Sequence, residues 1–161
     1  MTNRYDPHVL VLPEDDANRQ IANGFVLDLH QSVLRRIQVL PEADGWTAVL
    51  DSFEANHIAQ MNRFTERHMV LLIDLDGHED RVNLARQRIP EHLHDRVFIL
   101  GVRTEPEDLK RADLGSYETI GNAMAEDCRQ ETDTIWGHDL LRHNAGEIER
   151  LRQCVRPILF P

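Results

Sequence analysis

Residues 70–77 constrain the fold more than any other part of this 161-residue chain. Four consecutive apolar residues lead directly into Asp74, Leu75 and Asp76, and a glycine follows. An uninterrupted apolar run of this length is typical of a strand buried on both faces, as in a parallel sheet. Ligands of open α/β sheets bind outside the carboxyl ends of the strands. We therefore interpret the two aspartates as candidate ligands of a divalent cation.

The remaining apolar pattern predicts an α/β fold. Strands are predicted over residues 9–12, 36–40, 69–73 and 96–100, and segments with helical apolar spacing separate them. Such alternation predicts a four-stranded, mostly parallel sheet flanked by helices, as in Rossmann-like folds. Beyond residue 101 helices are predicted over 106–111, 116–130, 133–141 and 145–156. We expect one domain over 1–161, with a β/α core in 1–110 and a helical subdomain in 111–161 packed on it.

Composition restricts the class of protein. The apolar fraction of 41% and the charged fraction of 29% are typical of a globular chain. The formal net charge of −10 argues against a free-standing, sequence-independent DNA binder, which would need a basic face. Because the chain shows no membrane-length apolar run and no signal-peptide core, we predict a cytoplasmic protein without membrane contact. Cys128 and Cys154 are expected to be buried structural thiols.

Acidic residues follow three of the four predicted strands. They are Glu14, Asp15 and Asp16 after the first, Asp74 and Asp76 after the third, and Glu105, Glu107 and Asp108 after the fourth. Strand alternation predicts that Asp74 and Asp76 point to the same side. Clustered carboxylates raise one another's pKa values unless a cation neutralises them. A ligand set made only of oxygen atoms suits Mg²⁺ or Mn²⁺.

Two of these segments together resemble the Toprim domain of topoisomerases, primases and certain nucleases. They are Val-Leu-Val-Leu-Pro-Glu at residues 9–14 and Leu-Leu-Ile-Asp-Leu-Asp at residues 71–76, and the resemblance covers roughly residues 8–110. It implies Mg²⁺-dependent phosphoryl transfer, with Glu14 as a ligand or general acid/base and with Asp74 and Asp76 as metal ligands. Glu107, or its neighbour Glu105, would be the further acid of nuclease-type members.

The chain departs from the central Toprim pattern at two places. Asp15 and Asp16 stand where topoisomerase-type members usually carry glycine, and Gly77 follows Asp76 immediately instead of a few residues later. These departures favour a divergent, nuclease-type branch. Topoisomerase activity is excluded, because the chain has neither a tyrosine nucleophile region nor an ATP-binding part.

Three basic residues are candidate ligands of a substrate phosphate. Arg103 follows the fourth predicted strand beside carboxylates, where its guanidinium could hold a scissile phosphate. Lys110 loosely matches a basic residue of some Toprim members, and His78 lies two residues past Asp76.

A second group of polar residues lies in the predicted helical extension. For His138 and His143 a structural role and a phosphate-binding role both remain open. Asn144 and Glu147 have the spacing of a capping box at the start of the last predicted helix.

The leading prediction is a Toprim-like nuclease that uses Mg²⁺ or Mn²⁺ and acts on nucleic acid. Because the chain is acidic and lacks a DNA-binding module, a protein partner or a homo-oligomer is expected to provide targeting. The alternative is a non-catalytic Toprim-like, Rossmann-like or receiver-like module that regulates a partner protein. In the receiver interpretation Asp15 and Asp16 form the acidic pair and Asp74 accepts the phosphoryl group, but the lysine expected after a fifth strand is missing.

Overall fold

The computed structural model describes residues 2–161 and contains a sheet of four strands flanked by helices. The strands are β1 (His8–Pro13), β2 (Ile37–Val39), β3 (Arg67–Leu72) and β4 (Val97–Leu100). Their order across the sheet is β2-β1-β3-β4, and all three pairings are parallel. The predicted α/β fold is therefore confirmed, and the sheet is parallel throughout.

Helices occupy the connections and most of the carboxy-terminal part. They are α1 (Asp16–Leu27), α2 (Trp46–Asn56), α3 (Ile58–Arg63), α4 (Arg81–Gln87), α5 (Pro106–Arg111), α6 (Tyr117–Gln130), α7 (Ala145–Cys154) and α8 (Arg156–Leu159). Short 3₁₀ segments cover Gln31–Arg36, Glu91–Arg96 and Arg142–Asn144. Within residues 2–161, none of these helices combines the length and the apolar character that crossing a membrane requires.

The helix predicted over residues 133–141 is wrong, because this stretch forms a series of turns. The buried carboxylate of Asp127 organises it by accepting backbone N–H groups from Thr134 at 3.1 Å, Ile135 at 2.8 Å and Trp136 at 3.2 Å. A side chain from the preceding helix thus satisfies N–H groups that a regular helix would leave open at its start. Burial raises the pKa of Asp127, but hydrogen bonds from the Thr132 hydroxyl and from these backbone N–H groups outweigh that effect and lower it.

Alternate side chains of the strands point into two separate apolar cores, as expected for a sheet buried on both faces. One core joins Val9, Val11, Val70, Phe98 and Leu100 to apolar residues of α1, α6, α7 and α8. The other joins Leu10, Leu12, Met69, Leu71 and Ile99 to apolar residues of α2, α3 and α4. Apolar residues of α6, α7 and α8 therefore pack on one face of the sheet. Cys128 is buried in the first core, whereas Cys154 is only half-buried.

Asn144, directly before α7, and Glu147, in its first turn, cover the exposed edge of β4 and its continuation. Glu147 Oε2 accepts the N–H of Ile99 at 2.9 Å, and the Asn144 amide bonds the N–H and the C=O of Gly101 at 3.2 and 2.9 Å. The predicted capping box of Asn144 and Glu147 is therefore wrong, and Asn144 makes no side-chain cap. An unpaired strand edge needs hydrogen-bond partners, and these two residues supply them.

Helices α1 and α6 cross so closely that their backbones touch at two glycines. A Cβ atom on Gly121 would lie 1.9 Å from the carbonyl oxygen of Ile21. A Cβ atom on Gly24 would lie 2.1 Å from the carbonyl oxygen of Glu118. Both distances are below any real contact, so a larger residue at either position would force the helices apart.

We predict that Gly121→Ala lowers the free energy of unfolding by about 1–3 kcal/mol, the usual cost of overpacking a core. Gly146→Ala is the matched control, because Gly146 is also helical but has nothing within 4 Å of the added Cβ atom. That change should raise the stability by up to about 1 kcal/mol, since alanine favours a helix over glycine. Urea unfolding measures both, and equal midpoints for the two variants would contradict the close crossing.

Candidate functional site

Glu14 and Asp74 lie side by side at the carboxyl edge of the sheet. Strands β1 and β3 are neighbours, and their last paired residues are Pro13 and Leu72. The residues that follow the two strands therefore leave the sheet together. The backbone N–H of Asp74 donates to Glu14 Oε2 at 2.8 Å. The structure thus brings together the two acids on which the sequence prediction depends most.

The Asp74 side chain is held in place by two neighbouring elements. It is only 5% exposed, and its Oδ1 accepts the backbone N–H of Val102 at 2.9 Å and the Asn18 amide at 3.3 Å. Val102 follows β4, and Asn18 belongs to the first turn of α1. Among residues 2–161, Oδ2 of the same carboxyl group receives no hydrogen bond.

The chain segments that follow β3 and β4 remain hydrogen-bonded to each other beyond the last residues of the two strands. The N–H of Ile73 donates to the carbonyl of Leu100 at 2.8 Å, and the N–H of Leu75 donates to that of Val102 at 2.9 Å. Gly101 permits this spacing, because a Cβ atom there would lie 1.8 Å from the carbonyl oxygen of Ile73. The Asp74 carboxyl group is therefore enclosed between backbone segments that cannot move apart without breaking hydrogen bonds.

Burial raises the pKa of Asp74 from 3.8 to about 8. Hydrogen bonds from the Val102 N–H and the Asn18 amide lower this pKa. The negative charges of Glu14 and Asp15 raise it. Burial is the largest of these effects, so the protein alone holds Asp74 in its neutral form at pH 7. A cation bound beside it would favour the charged form instead.

The same environment acts on Glu14. Burial raises its pKa, and the N–H of Asp74 opposes that change by stabilising the carboxylate. Asp15 and Asp76 raise the pKa further, whereas the guanidinium of Arg81 lowers it. Negative charge therefore accumulates around Glu14 from several directions, and within residues 2–161 the guanidinium of Arg81 is the cation that lowers the pKa of Glu14.

Asp15 and Asp16 have separate roles despite being adjacent. Asp15 is the N-cap of α1, where its Oδ1 accepts the N–H of Asn18 at 3.0 Å, and the Asp15 N–H donates to Asn18 Oδ1 at 3.3 Å. Burial raises the pKa of Asp15, and the charge of Glu107 raises it as well. Asp16 points into solvent and pairs with Arg19 at 2.8 Å. Asp15 therefore belongs to the site, whereas Asp16 contributes only a smaller effect that raises the pKa of Asp15.

Asp76 leaves the strand before alternation can place it beside Asp74. Its φ is 51°, in the left-handed region, and its N–H donates to the carbonyl of Thr104 at 2.9 Å. Leu75 also donates toward the segment after β4, so two successive N–H groups point the same way. We predicted from strand alternation that Asp74 and Asp76 point to the same side. This alternation ends at Leu75. Asp76 is exposed but still raises the pKa of Glu14.

The acids that follow β4 divide into two groups. Arg111 forms ion pairs with Asp108 at 2.5 Å and with Glu105 at 3.5 Å. Asp108 also accepts a hydrogen bond from the Thr104 hydroxyl at 2.6 Å. Glu107 is exposed and forms no ion pair within residues 2–161. Its charge acts on Asp15, so Glu107 is the fourth-strand acid that faces the site. We refer to Glu14, Asp15, Asp74, Asp76 and Glu107 as the acidic cluster.

The candidate phosphate ligands surround this cluster at different depths. Lys110 lies over the ring of Tyr117, with Nζ 3.9 Å from the ring centre. Tyr117 in turn has its pKa raised by burial and by the charges of Glu107 and Asp15, which places Lys110 near those acids. Arg103 is half-buried, and its backbone is fixed by a hydrogen bond to the Leu140 carbonyl at 2.8 Å.

The histidines differ in how they relate to this edge. His78 is exposed directly after the turn at Gly77. His143 lies near Gly101 and Arg103, and burial lowers its pKa. His138 has a structural contact, because its Nδ1 accepts the N–H of Leu140 at 3.1 Å.

Arg81 is a basic residue of the site that the sequence pattern does not single out. Its Nη1 donates to the backbone carbonyl of Asp74 at 2.8 Å, and its guanidinium lies 4.7 Å from the ring centre of Trp46. The sequence signal that could have found it is its position at the start of the helix that follows the Asp-x-Asp loop. Asn18 could have been found from its capping-box spacing to Asp15.

The metal prediction can be compared with the donor atoms. Within residues 2–161, no three His, Cys, Asp or Glu side chains are grouped closely enough to hold a metal ion together. Glu14 and Asp74 nevertheless offer carboxylate oxygens on neighbouring strand ends, and only one oxygen of each is hydrogen-bonded to the protein. Mg²⁺ often binds through one or two carboxylates and completes its octahedron with water and substrate phosphate. This pair fits that chemistry.

The fold and the site together define a class: an α/β protein with an all-parallel sheet and an acidic cluster at its carboxyl edge. Comparison of the chain with protein-family models, with curated proteins and with solved structures found no match. The Toprim resemblance therefore stays a prediction that rests on the motifs at residues 9–14 and 71–76.

We predict that the free energy of unfolding falls as the pH rises from about 4 to about 8. Native Asp74 keeps its proton in this window, because its pKa is raised from 3.8 to about 8, whereas the unfolded chain loses it. Each pKa unit corresponds to about 1.4 kcal/mol, so the decline should reach a few kcal/mol. Asp74→Asn should abolish most of this slope in urea unfolding measured across the window.

Asp16→Asn is the control for this measurement, because Asp16 is an exposed acid at the start of α1 and hydrogen bonds from Arg19 and Gln20 lower its pKa. That variant should keep the decline. An unchanged slope in Asp74→Asn would show that Asp74 is not the buried proton-binding group.

Proposed function

We propose that the chain is a Mg²⁺- or Mn²⁺-dependent phosphoryl-transfer enzyme, and that it hydrolyses phosphodiester bonds in nucleic acid. The observation that carries this proposal is the pairing of Glu14 with the buried Asp74. Neither carboxylate forms an ion pair with a basic side chain of residues 2–161, although both pKa values are raised. Two such groups at adjacent strand ends are stabilised as anions when a divalent cation binds between them.

A bound Mg²⁺ would supply a Lewis acid and lower the pKa of a coordinated water. Glu14 and Asp74 would hold it through the carboxylate oxygens that the protein leaves open, and Asp76 is available from the exposed turn. Glu107 would be the further acid, facing the site from the segment after β4. Asn18 supports the arrangement by orienting the Asp74 carboxyl group.

Basic residues around the acidic cluster would position the substrate. Arg81 fixes the backbone of Asp74 and leaves positive charge close to Glu14. Arg103, Lys110 and His78 are the candidate ligands of the phosphate group, since guanidinium and ammonium groups are strong donors to phosphate oxygens. A protein partner or a second copy of the chain would provide targeting, and a cytoplasmic location is part of this proposal.

The second candidate is a non-catalytic module that regulates a partner protein. The hydrogen bonds of Glu14 and Asp74 favour it, because Glu14 Oε2 and Asp74 Oδ1 connect three chain segments. In this interpretation the two carboxylates hold the strand ends together and have no catalytic role.

Titration with Mg²⁺ or Mn²⁺ distinguishes the two candidates. At a metal concentration of 100 times Kd, binding should stabilise the native protein by about 2.7 kcal/mol, which thermal melting detects. Glu14→Gln and Asp74→Asn should remove this stabilisation and lower the rate of cleavage of labelled DNA or RNA by at least about 100-fold, if the metal supplies the usual share of the rate. Asp16→Asn, with the same change of charge outside the cluster, should behave as the wild type.

Two outcomes would contradict the nuclease proposal. One is an equal metal response in Glu14→Gln and Asp16→Asn. The other is metal binding that depends on Glu14 and Asp74 without cleavage of any single-stranded or duplex substrate, which would favour the regulatory module.

A further inference from the structure

A cluster of arginines surrounds one aromatic ring at the amino-terminal edge of the sheet, opposite the acidic cluster. The Cζ atoms of Arg4, Arg63 and Arg67 lie 5.4, 5.2 and 5.3 Å from the centre of the Phe64 ring. Tyr5 packs edge-on against the same ring at 5.7 Å between centroids and is 76% exposed. We call these five residues the arginine cluster.

The three guanidinium groups have no acidic partner in the part of the chain that the structure describes. Within residues 2–161, none of them forms an ion pair, although the chain carries 28 acidic residues against 18 Lys and Arg. Arg67 is only 7% exposed, and a buried charge without a counter-ion is costly. Its pKa is lowered by burial and by the charge of Arg4. An anion bound among these guanidinium groups would offset the cost of burying Arg67 and the repulsion between Arg67 and Arg4.

His8 fixes the orientation of Arg67. The Arg67 Nε–H donates to Nε2 of His8 at 3.0 Å, so the imidazole proton lies on Nδ1, which donates to the carbonyl of Asp6 at 2.8 Å. Burial lowers the pKa of His8, which agrees with a neutral ring. Because Nε is occupied, Nη1 and Nη2 of Arg67 remain to donate to a ligand, in the paired geometry that suits phosphate oxygens.

The neighbouring charged groups do not fill this position. Asp6 accepts a hydrogen bond from the Asn3 amide at 2.7 Å, and the exposed Glu66 affects His8 without pairing with an arginine of the cluster. Arg96 is committed to backbone carbonyls, including those of Phe64 at 3.3 Å and Arg67 at 2.9 Å. Arg96 therefore braces the segment that carries the cluster.

We propose that the arginine cluster binds phosphate groups of a single-stranded nucleic acid, with Tyr5 available to stack on a base. Arginines beside an exposed aromatic ring are the combination that single-strand binders use, since charge follows the backbone and the ring accepts any base. This is a binding site with residues of its own. It does not depend on the proposed cleavage, and it would stand if the acidic cluster had no catalytic activity.

Fluorescence anisotropy of a labelled single-stranded oligonucleotide, measured in EDTA, tests this site without the metal. Arg4→Gln/Arg63→Gln changes two exposed residues and should raise Kd at least tenfold. Loss of two phosphate contacts should also reduce the slope of log Kd against log salt concentration by about 1.4. The double variant Arg35→Gln/Arg142→Gln carries the same charge change on exposed residues elsewhere and should bind as the wild type.

One further variant and two competitors distinguish nucleic acid from other phosphate-bearing ligands. Tyr5→Leu should weaken oligonucleotide binding severalfold. Equal weakening in the two double variants, or no effect of Tyr5→Leu, would overturn the proposal. A phosphopeptide or inorganic phosphate that competes as well as the oligonucleotide at equal phosphate concentration would overturn the assignment to nucleic acid.

Discussion

The carboxyl edge of the sheet depends on the hydrogen bonds around Asp74. Its N–H binds the Glu14 carboxylate, and its own carboxyl group binds the N–H of Val102 and the Asn18 amide. These contacts join the segments after β1, β3 and β4 to the first turn of α1. Extended pairing between the strand ends requires the absence of a side chain at Gly101. The geometry of the acidic cluster is therefore a consequence of the way the sheet terminates.

Burying Asp74 is unfavourable for a charged group, as its pKa of about 8 indicates. A purely structural site could use asparagine, whose amide oxygen would accept the same two hydrogen bonds without a charge. A carboxyl group gains an advantage over that amide only where its charged form is needed. This is the physical reason for which we favour a cation partner over a structural role, and Asp74→Asn separates the two.

Much of the fold follows from local pattern, because apolar runs and helical spacing locate the four strands and most helices. The adjacency of Glu14 and Asp74 was also predictable, since parallel strands end at the same edge. Features that depend on distant partners were not. The left-handed φ at Asp76, the turns around Asp127, and the role of Asn144 at the β4 edge each arise from contacts made only after folding.

The two ends of the sheet carry opposite charge, and this affects how a polyanion would meet the protein. Six-residue strands such as β1 and β3 separate the two edges by roughly 20 Å at the usual rise per residue. The acidic cluster alone repels phosphate, whereas the arginine cluster attracts it at any metal concentration. A divalent cation at Glu14 and Asp74 would offset part of this negative charge and weaken the repulsion at the second edge. Under the two proposals, the nucleic acid would be held at the arginine cluster, and cleavage would occur only when a divalent cation is bound at Glu14 and Asp74.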